Sequence, residues 1–374
     1  MSQVIISTIG TSLLNNQINR SNPEEKDWYN QLRDTANSTL ENIPKEVQKI
    51  IETLKYRGIQ KLAQSSTTEI RAASAELNGI YGLYQERLEQ GSRDMHWLIA
   101  TDTAQGQETA KIVESFLKTK NLTAQVYTPK GLSTASTRCF SDGIDDLLTW
   151  LEQTIKGYEK ICFNLVGRFK SLQAYLNTIG MFYANEIIYI FEGSNSEVIT
   201  IPRLPIKVDE SIIEPYKVQF ALMAAGAEVK LSQLPGIQET LVYTVDDEVT
   251  LSNWGKLIWN QSKNKILSGD LLTFPRLECQ QSFTKDYERT KSEVERIKLQ
   301  ETLARVTYLL DKYDGNRSAL TGDGGVQLET YKNSNIEHFR VSLSLRVSCK
   351  ALDEGNLSLR YYGTHAHVER SEGV

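Results

Sequence analysis

The feature that most constrains the fold is an alternation of short apolar runs with amphipathic helical stretches through the first half of a 374-residue chain. Residues 3–8 (QVIIST), 96–101 (HWLIAT), 123–127 (TAQVY), 160–166 (KICFNLV) and 186–191 (EIIYIF) are rich in β-branched and aromatic residues, bounded by turn formers, and read as strands. Residues 106–118, 140–155 and 170–184 carry helical spacing, and Asn22-Pro23-Glu24-Glu25 opens a further helical stretch predicted over 26–56 as an insertion after the first strand. Parallel strands need crossover connections, so this rhythm implies a parallel sheet with helices on both faces.

At 199–207 the sequence ITIPRLPIK breaks the rhythm with two prolines and reads as a connection. Beyond it we expect helices at 211–225, 230–239 and 253–263 around a hairpin at 241–251 that turns at Asp246-Asp247, a winged-helix-like connector with no basic recognition helix. The remainder reads as a strand (271–278), one long helix or two (283–312), a Gly-rich loop (322–325) and strands at 339–349 and 357–362. The expected fold class is therefore α/β: a Rossmann-like parallel-sheet domain (1–198), the connector (199–270) and a small α+β C-terminal domain (271–374).

With 40% hydrophobic and 24% charged residues the chain has the composition of a folded protein, while a net charge of −5 argues against coating nucleic acid by bulk electrostatics. Any RNA contact is expected to be local. Cysteines 139, 162, 279 and 349 form no CxxC pair, so neither a zinc ribbon nor a disulfide framework is expected, no metal site is assigned, and a reducing cytoplasm fits best. No apolar run approaches the roughly 18 residues needed to cross a bilayer, and no membrane association is expected.

Open parallel sheets bind ligands at the carboxyl ends of their strands, where backbone N–H groups and helix starts face the ligand. Three such ends stand out: Gly10-Thr11-Ser12, the segment 101–106 with Thr103 and Gly106 followed by Gln107, and Asn164 to Lys170 with Gly167 and Arg168. Glycine admits a phosphate, hydroxyls and amides bind its oxygens, and Arg168 and Lys170 supply charge. Each piece alone is equally a helix cap, and neither GxxxxGK[ST] nor GxGxxG is present.

The segments IISTIGTSLLNN, RAASAEL, TDTAQGQETAKIV, NLVGRFK and IIYIFEGSNSEVITIPRLPI together resemble a CRISPR-associated CARF protein over roughly residues 1–270. The resemblance implies a two-fold dimer that binds cyclic oligoadenylate, most often cyclic tetra-adenylate, across its axis, with no cofactor. Gly10, Thr11 and Ser12 would hold a phosphate, and Asn164, Gly167, Arg168 and Lys170 would line the pocket opposite. Some members cleave the ring. That chemistry needs no metal, because the adjacent 2′-OH is the nucleophile, and Ser12 and Lys170 suit it. Arg168 stands where the family usually has glycine.

Three of the four histidines, His338, His365 and His367, fall in the last segment with Arg340, Arg346, Arg360 and Arg370. On a strand, His365 and His367 would share one face, and Arg340 and Arg346 share a parity. Arginine for phosphate charge and histidine for proton transfer is what RNA cleavage through its own 2′-OH requires. NIEHFRVSLSLRVSCK and LSLRYYGTHAHVER resemble the RelE family of toxins over about 271–374, which implies cleavage of messenger RNA on the ribosome. Phe339-Arg340 and Gly363-Thr364-His365 carry the family's paired elements; its terminal Tyr is missing, so Tyr361 or Tyr362 would stack on the base.

The expected function is thus a cytoplasmic, dimeric type III CRISPR effector, a cyclic oligoadenylate-activated ribonuclease. Two other readings stay open: primarily a ring nuclease with a degenerate C-terminal domain, or a ligand-responsive transcriptional regulator.

Overall fold

Strand β1 (Gln3–Thr8) runs through the middle of a sheet, parallel to β2 (Met95–Ile99) on one side and β4 (Lys160–Asn164) on the other. Its Val4, Ile5 and Ile6 are wholly buried, as expected of a strand covered on both faces. Strand β3 (Thr123–Tyr127) pairs with β2, β5 (Glu186–Ile190) with β4, and β6 (Val198–Pro202) antiparallel with β5, giving the order β3-β2-β1-β4-β5-β6. The molecule is a computed structural model that describes residues 2–155, 157–167, 170–190, 197–332 and 334–374, in two units, Met1–Ile206 and Lys207–Val374.

The first unit carries α1 (Ser12–Asn15), α2 (Trp28–Asp34), α3 (Lys45–Gln64), α4 (Thr67–Ala73), α5 (Ala75–Leu83), α6 (Ala104–Thr119), α7 (Thr137–Thr154) and α8 (Lys170–Tyr183). The single helix expected over 26–56 is two, because Pro44 holds an extended backbone (ψ 138°) and starts α3. The expected connection at 199–207 is a strand as far as Pro202: β6 lies at the sheet edge, where a missing N–H breaks no ladder. The boundary expected at 198 therefore moves to 206.

In the second unit, α9 (Lys217–Ala225) is shorter than the expected 211–225, since Pro215 sits in a preceding 3₁₀ turn. No helix forms over 230–239; β7 (Val229–Lys230) leads into a 3₁₀ turn, and Pro235-Gly236 follows with Gly236 at φ 81°. The expected hairpin is present as β8 (Val242–Val245) and β9 (Glu248–Leu251), and α10 (Asn253–Ser268) follows. Beyond it, β10 is only Leu277–Cys279, and the expected 283–312 helix is two, α11 (Gln281–Arg289) and α12 (Glu293–Lys312). After α13 (Ser318–Gly322) come β11 (Glu329–Thr330), β12 (Glu337–Arg340), β13 (Leu345–Ala351), β14 (Leu357–Thr364) and α14 (His365–Glu372). The sheet order is β10-β14-β13-β12-β11.

The connector and the C-terminal domain expected as separate bodies share one core. Phe220, Trp259 and Leu267 belong to the same cluster as Leu303, Leu310, Phe339 and Val347, because α9 and α10 pack against α12. Gln300 of α12, wholly buried, stitches the two: its amide donates to the Leu267 carbonyl (2.8 Å) and its oxygen accepts from Leu272 N–H (2.8 Å).

One buried group sets an acid limit on the first unit. His96 of β2 is shielded from solvent, its Nε2 is 3.2 Å from Tyr84 Oη, and its Nδ1 has no partner among the described residues. Burial pushes its pKa down to about 4, against the pull of Asp94. A depressed histidine pKa stabilises the fold above the unfolded value near 6.5 and loses that contribution as pH falls toward 4, about 3 kcal/mol in all. Thermal melts should drop across that window, and His96→Gln should flatten the slope; an unchanged acid slope would refute the assignment.

Candidate ligand-binding and catalytic sites

In the first unit the strand order reverses between β1 and β4, which opens a crevice at their carboxyl ends. A buried carboxylate lies there. Glu76 of α5 accepts the Gly10 N–H (2.8 Å) on Oε1 and the Ser74 hydroxyl (2.8 Å) on Oε2. A Cβ on Gly167 would stand 2.5 Å from the Thr8 carbonyl oxygen and 2.9 Å from Glu76 Oε1, so only glycine fits where the chain leaves β4. Gln173 pins that loop by donating to the carbonyls of Leu165 (2.6 Å) and Gly167.

Asn164 is wholly buried, and its amide donates to Ser7 Oγ (3.0 Å) and the Glu76 carbonyl (3.0 Å). It therefore anchors α5 to β1 and β4, while its Oδ1 is buried with no hydrogen-bond partner among the described residues. Thr11 and Ser12 are half-buried at the start of α1, Lys170 is exposed at the start of α8, and Arg168 lies outside the described residues. Sequence reasoning did not single out Glu76 or Ser74; the only signal was the small-residue segment RAASAEL that contains them.

Gly167→Ala should lower the melting temperature, since forcing a methyl against a backbone oxygen costs about 1–3 kcal/mol. Gly322→Ala, whose Cβ would meet nothing within 4 Å, is the control, and equal melting of the two variants would refute the close approach.

At the end of β2 the helix-cap alternative accounts for the residues offered to a ligand. Thr103 Oγ1 accepts the Gly106 N–H (3.1 Å) and is 2.9 Å from Thr101 Oγ1. Asp102 accepts from Gly131 N–H (2.9 Å) and from the Gln107 amide (3.1 Å). Thr103, Gly106 and Gln107 thus cap α6 and brace the neighbouring loop.

In the second unit, β12 and β13 are the arms of a hairpin, not one strand, and their register sets Arg340 directly opposite Arg346. Both guanidinium stems leave the same face of the sheet, by cross-strand pairing rather than by parity along a single strand. Arg346 Nη1 donates to the carbonyls of Ser342 (2.7 Å) and Leu345 (2.9 Å), and its pKa is lowered by burial and by the adjacent Arg340. Two like charges held side by side suit a doubly charged partner.

His338 shares that face, two residues from Arg340. Its ring stacks on Tyr331 (centroids 4.1 Å, 22°) and meets His365 edge-on (5.8 Å, 69°). Burial lowers the His338 pKa, Glu329 at 3.7 Å opposes, and His365 and Arg346 lower it further. Tyr331 Oη and His338 Nδ1 are buried without a partner among the described residues, each at a cost of about 1–3 kcal/mol.

His365 and His367 do not share a face, because they lie on α14 and not on a strand. The Thr364 hydroxyl accepts the His367 N–H (3.3 Å) and starts the helix there, so the two side chains point about 160° apart around the helix axis. His365 turns to the His338 ring, whereas His367 Nε2 is 3.2 Å from Asp286 Oδ2 on α11 and tethers the helix. Tyr362 and Phe339 are core residues, with Tyr362 ring to ring with Phe283 (6.4 Å), and Tyr361 lies beneath Arg360 (6.0 Å). The aromatic ring beside the histidines is Tyr331, brought in by the short β11–β12 hairpin, which was not expected from the sequence.

Among the described residues no helix is long and apolar enough to cross a membrane, and no group of three or more His, Cys, Asp or Glu is placed to hold a metal ion. The fold defines a mixed α/β protein whose main sheet is parallel except for its edge strand β6 and reverses its strand order between β1 and β4. Residues 71–204, from RAASAEL through β6 and so within the first unit, match the model of a family described as CRISPR-associated protein (Cas_APE2256). The similarity supports a CRISPR-associated protein.

Proposed function

We propose that this chain is a ligand-gated ribonuclease of a CRISPR system. Its first unit binds cyclic oligoadenylate, as a two-fold dimer, at the β1–β4 crevice, and its second unit cleaves messenger RNA on the ribosome. The observation that carries the reading is the pairing of Arg340 with Arg346 on the face where the His338 and His365 rings meet edge-on. In the reaction the ribose 2′-oxygen attacks the neighbouring phosphorus as an imidazole takes its proton. The two guanidiniums neutralise the phosphorane oxygens, and the 5′-oxygen leaves with a proton returned to it. Slower cleavage of the ring itself at Ser12 and Lys170 would limit the signal. The ring can bias the nuclease only by its difference in affinity for the active and inactive states.

End-group analysis of cleaved RNA tests the chemistry. A 2′,3′-cyclic phosphate with a 5′-hydroxyl is expected; a 5′-phosphate would rule out attack by the 2′-oxygen.

A further inference from the structure

Glu372 seats the last turn of α14 on the sheet. Its side chain is wholly shielded from solvent, yet it carries a carboxylate. Arg360 donates to it in a fork (Nε–Oε1 2.9 Å, Nη2–Oε2 3.0 Å), and Ser348 Oγ donates at 2.6 Å. The Ser348 hydroxyl is itself oriented, accepting the Tyr361 N–H at 3.2 Å. A guanidinium fork beside an aligned hydroxyl holds a phosphate oxygen pair as readily as a carboxylate.

This cradle adjoins the candidate catalytic face. Ser348 lies two residues from Arg346 along β13 and directly across from His338 on β12. The same helix buries Val368 against Tyr331 and Ile336, and the Tyr331 hydroxyl and the stacked His338 Nδ1 are buried polar atoms that lack partners among the described residues. One helix thus fills an anion seat with an internal carboxylate and packs on the Tyr331 ring, which stacks on His338.

We propose that Arg360 and Ser348 form a phosphate subsite for the RNA strand, next to Arg340 and Arg346, and that Glu372 occupies it at rest as a stand-in for phosphate. The inference rests on the ribonuclease reading. RNA laid along the sheet displaces Glu372, the last turn of α14 lifts, and Tyr331 and His338 become accessible in the same movement.

The probe is a labelled RNA oligonucleotide methylated at every 2′-oxygen, which binds without being cut, titrated against the full chain by anisotropy. Glu372→Gln should bind it about tenfold tighter than wild type, because a neutral amide competes less well for the guanidinium than a carboxylate does. Adding Arg360→Ala should cancel the gain. A structural ion pair predicts the opposite sign, so affinity in Glu372→Gln equal to or below wild type overturns the proposal. Wild type alone gives a second reading: amide hydrogen exchange over 365–372 should speed up when the oligonucleotide binds, and unchanged or slower exchange overturns the proposal. Tighter binding by a protein that never cleaves ordinary RNA keeps the subsite and sinks the ribonuclease reading; cleavage with no affinity gain in Glu372→Gln does the reverse.

Discussion

Arg340→Ala should slow RNA cleavage by about 10²–10³-fold, the usual cost of losing one preorganised donor to a developing oxyanion. His365→Ala should cost about 10²–10⁴-fold through lost proton transfer. Arg346 anchors its own turn through the Ser342 and Leu345 carbonyls, so Arg346→Ala should reduce stability as well as rate, whereas Arg340→Ala should leave melting unchanged. Single-turnover cleavage with saturating activator, read beside thermal melts, checks all three. Wild-type rates in both Arg340→Ala and His365→Ala would remove the catalytic assignment. His367→Ala should instead loosen α14 by breaking the contact with Asp286, lowering stability more than the rate of the chemical step.

The second large effect is expected at the crevice of the first unit. Lys170 begins α8 beyond β4 and Ser12 begins α1 beyond β1, on the two strands where the sheet order reverses. Lys170→Ala should weaken cyclic tetra-adenylate binding by about 10- to 100-fold, the loss of one charged hydrogen bond to phosphate. Ser12→Ala should slow ring cleavage with a smaller effect on binding. Calorimetry and ring-product chromatography measure the two separately. Wild-type binding and cleavage in both variants would move the site elsewhere on the sheet.

The α/β rhythm of the first unit was legible because each strand is a short apolar run bounded by turn residues, and burial on both faces demands that pattern. Positions such as Thr103 and Gly106 were harder to read, since a helix cap and a phosphate cradle call for the same residue types, and only the observed hydrogen bonds separate them. Glu76 escaped notice because nothing local marks a glutamate on α5 as the acceptor for Gly10, 66 residues away. In the second unit the histidine and arginine cluster was visible in composition, but its geometry was not. The turn after Arg340 converts one apparent strand into a hairpin, and the Thr364 cap converts an apparent strand into a helix. Arg340 and Arg346 still meet, through register; His365 and His367 part, through helical rotation. Tyr331 joins them through the β11–β12 hairpin, whose first strand, Glu329–Thr330, is too short to leave an alternating pattern.

The most direct test is to incubate one preparation of the wild-type chain with labelled messenger RNA and translating ribosomes, with and without cyclic tetra-adenylate. The account predicts cleavage that appears with the ring, is lost in Arg340→Ala, and in Lys170→Ala requires a higher ring concentration. Cleavage at the same rate with and without the ring, or none in either condition, would contradict a ligand-gated ribonuclease.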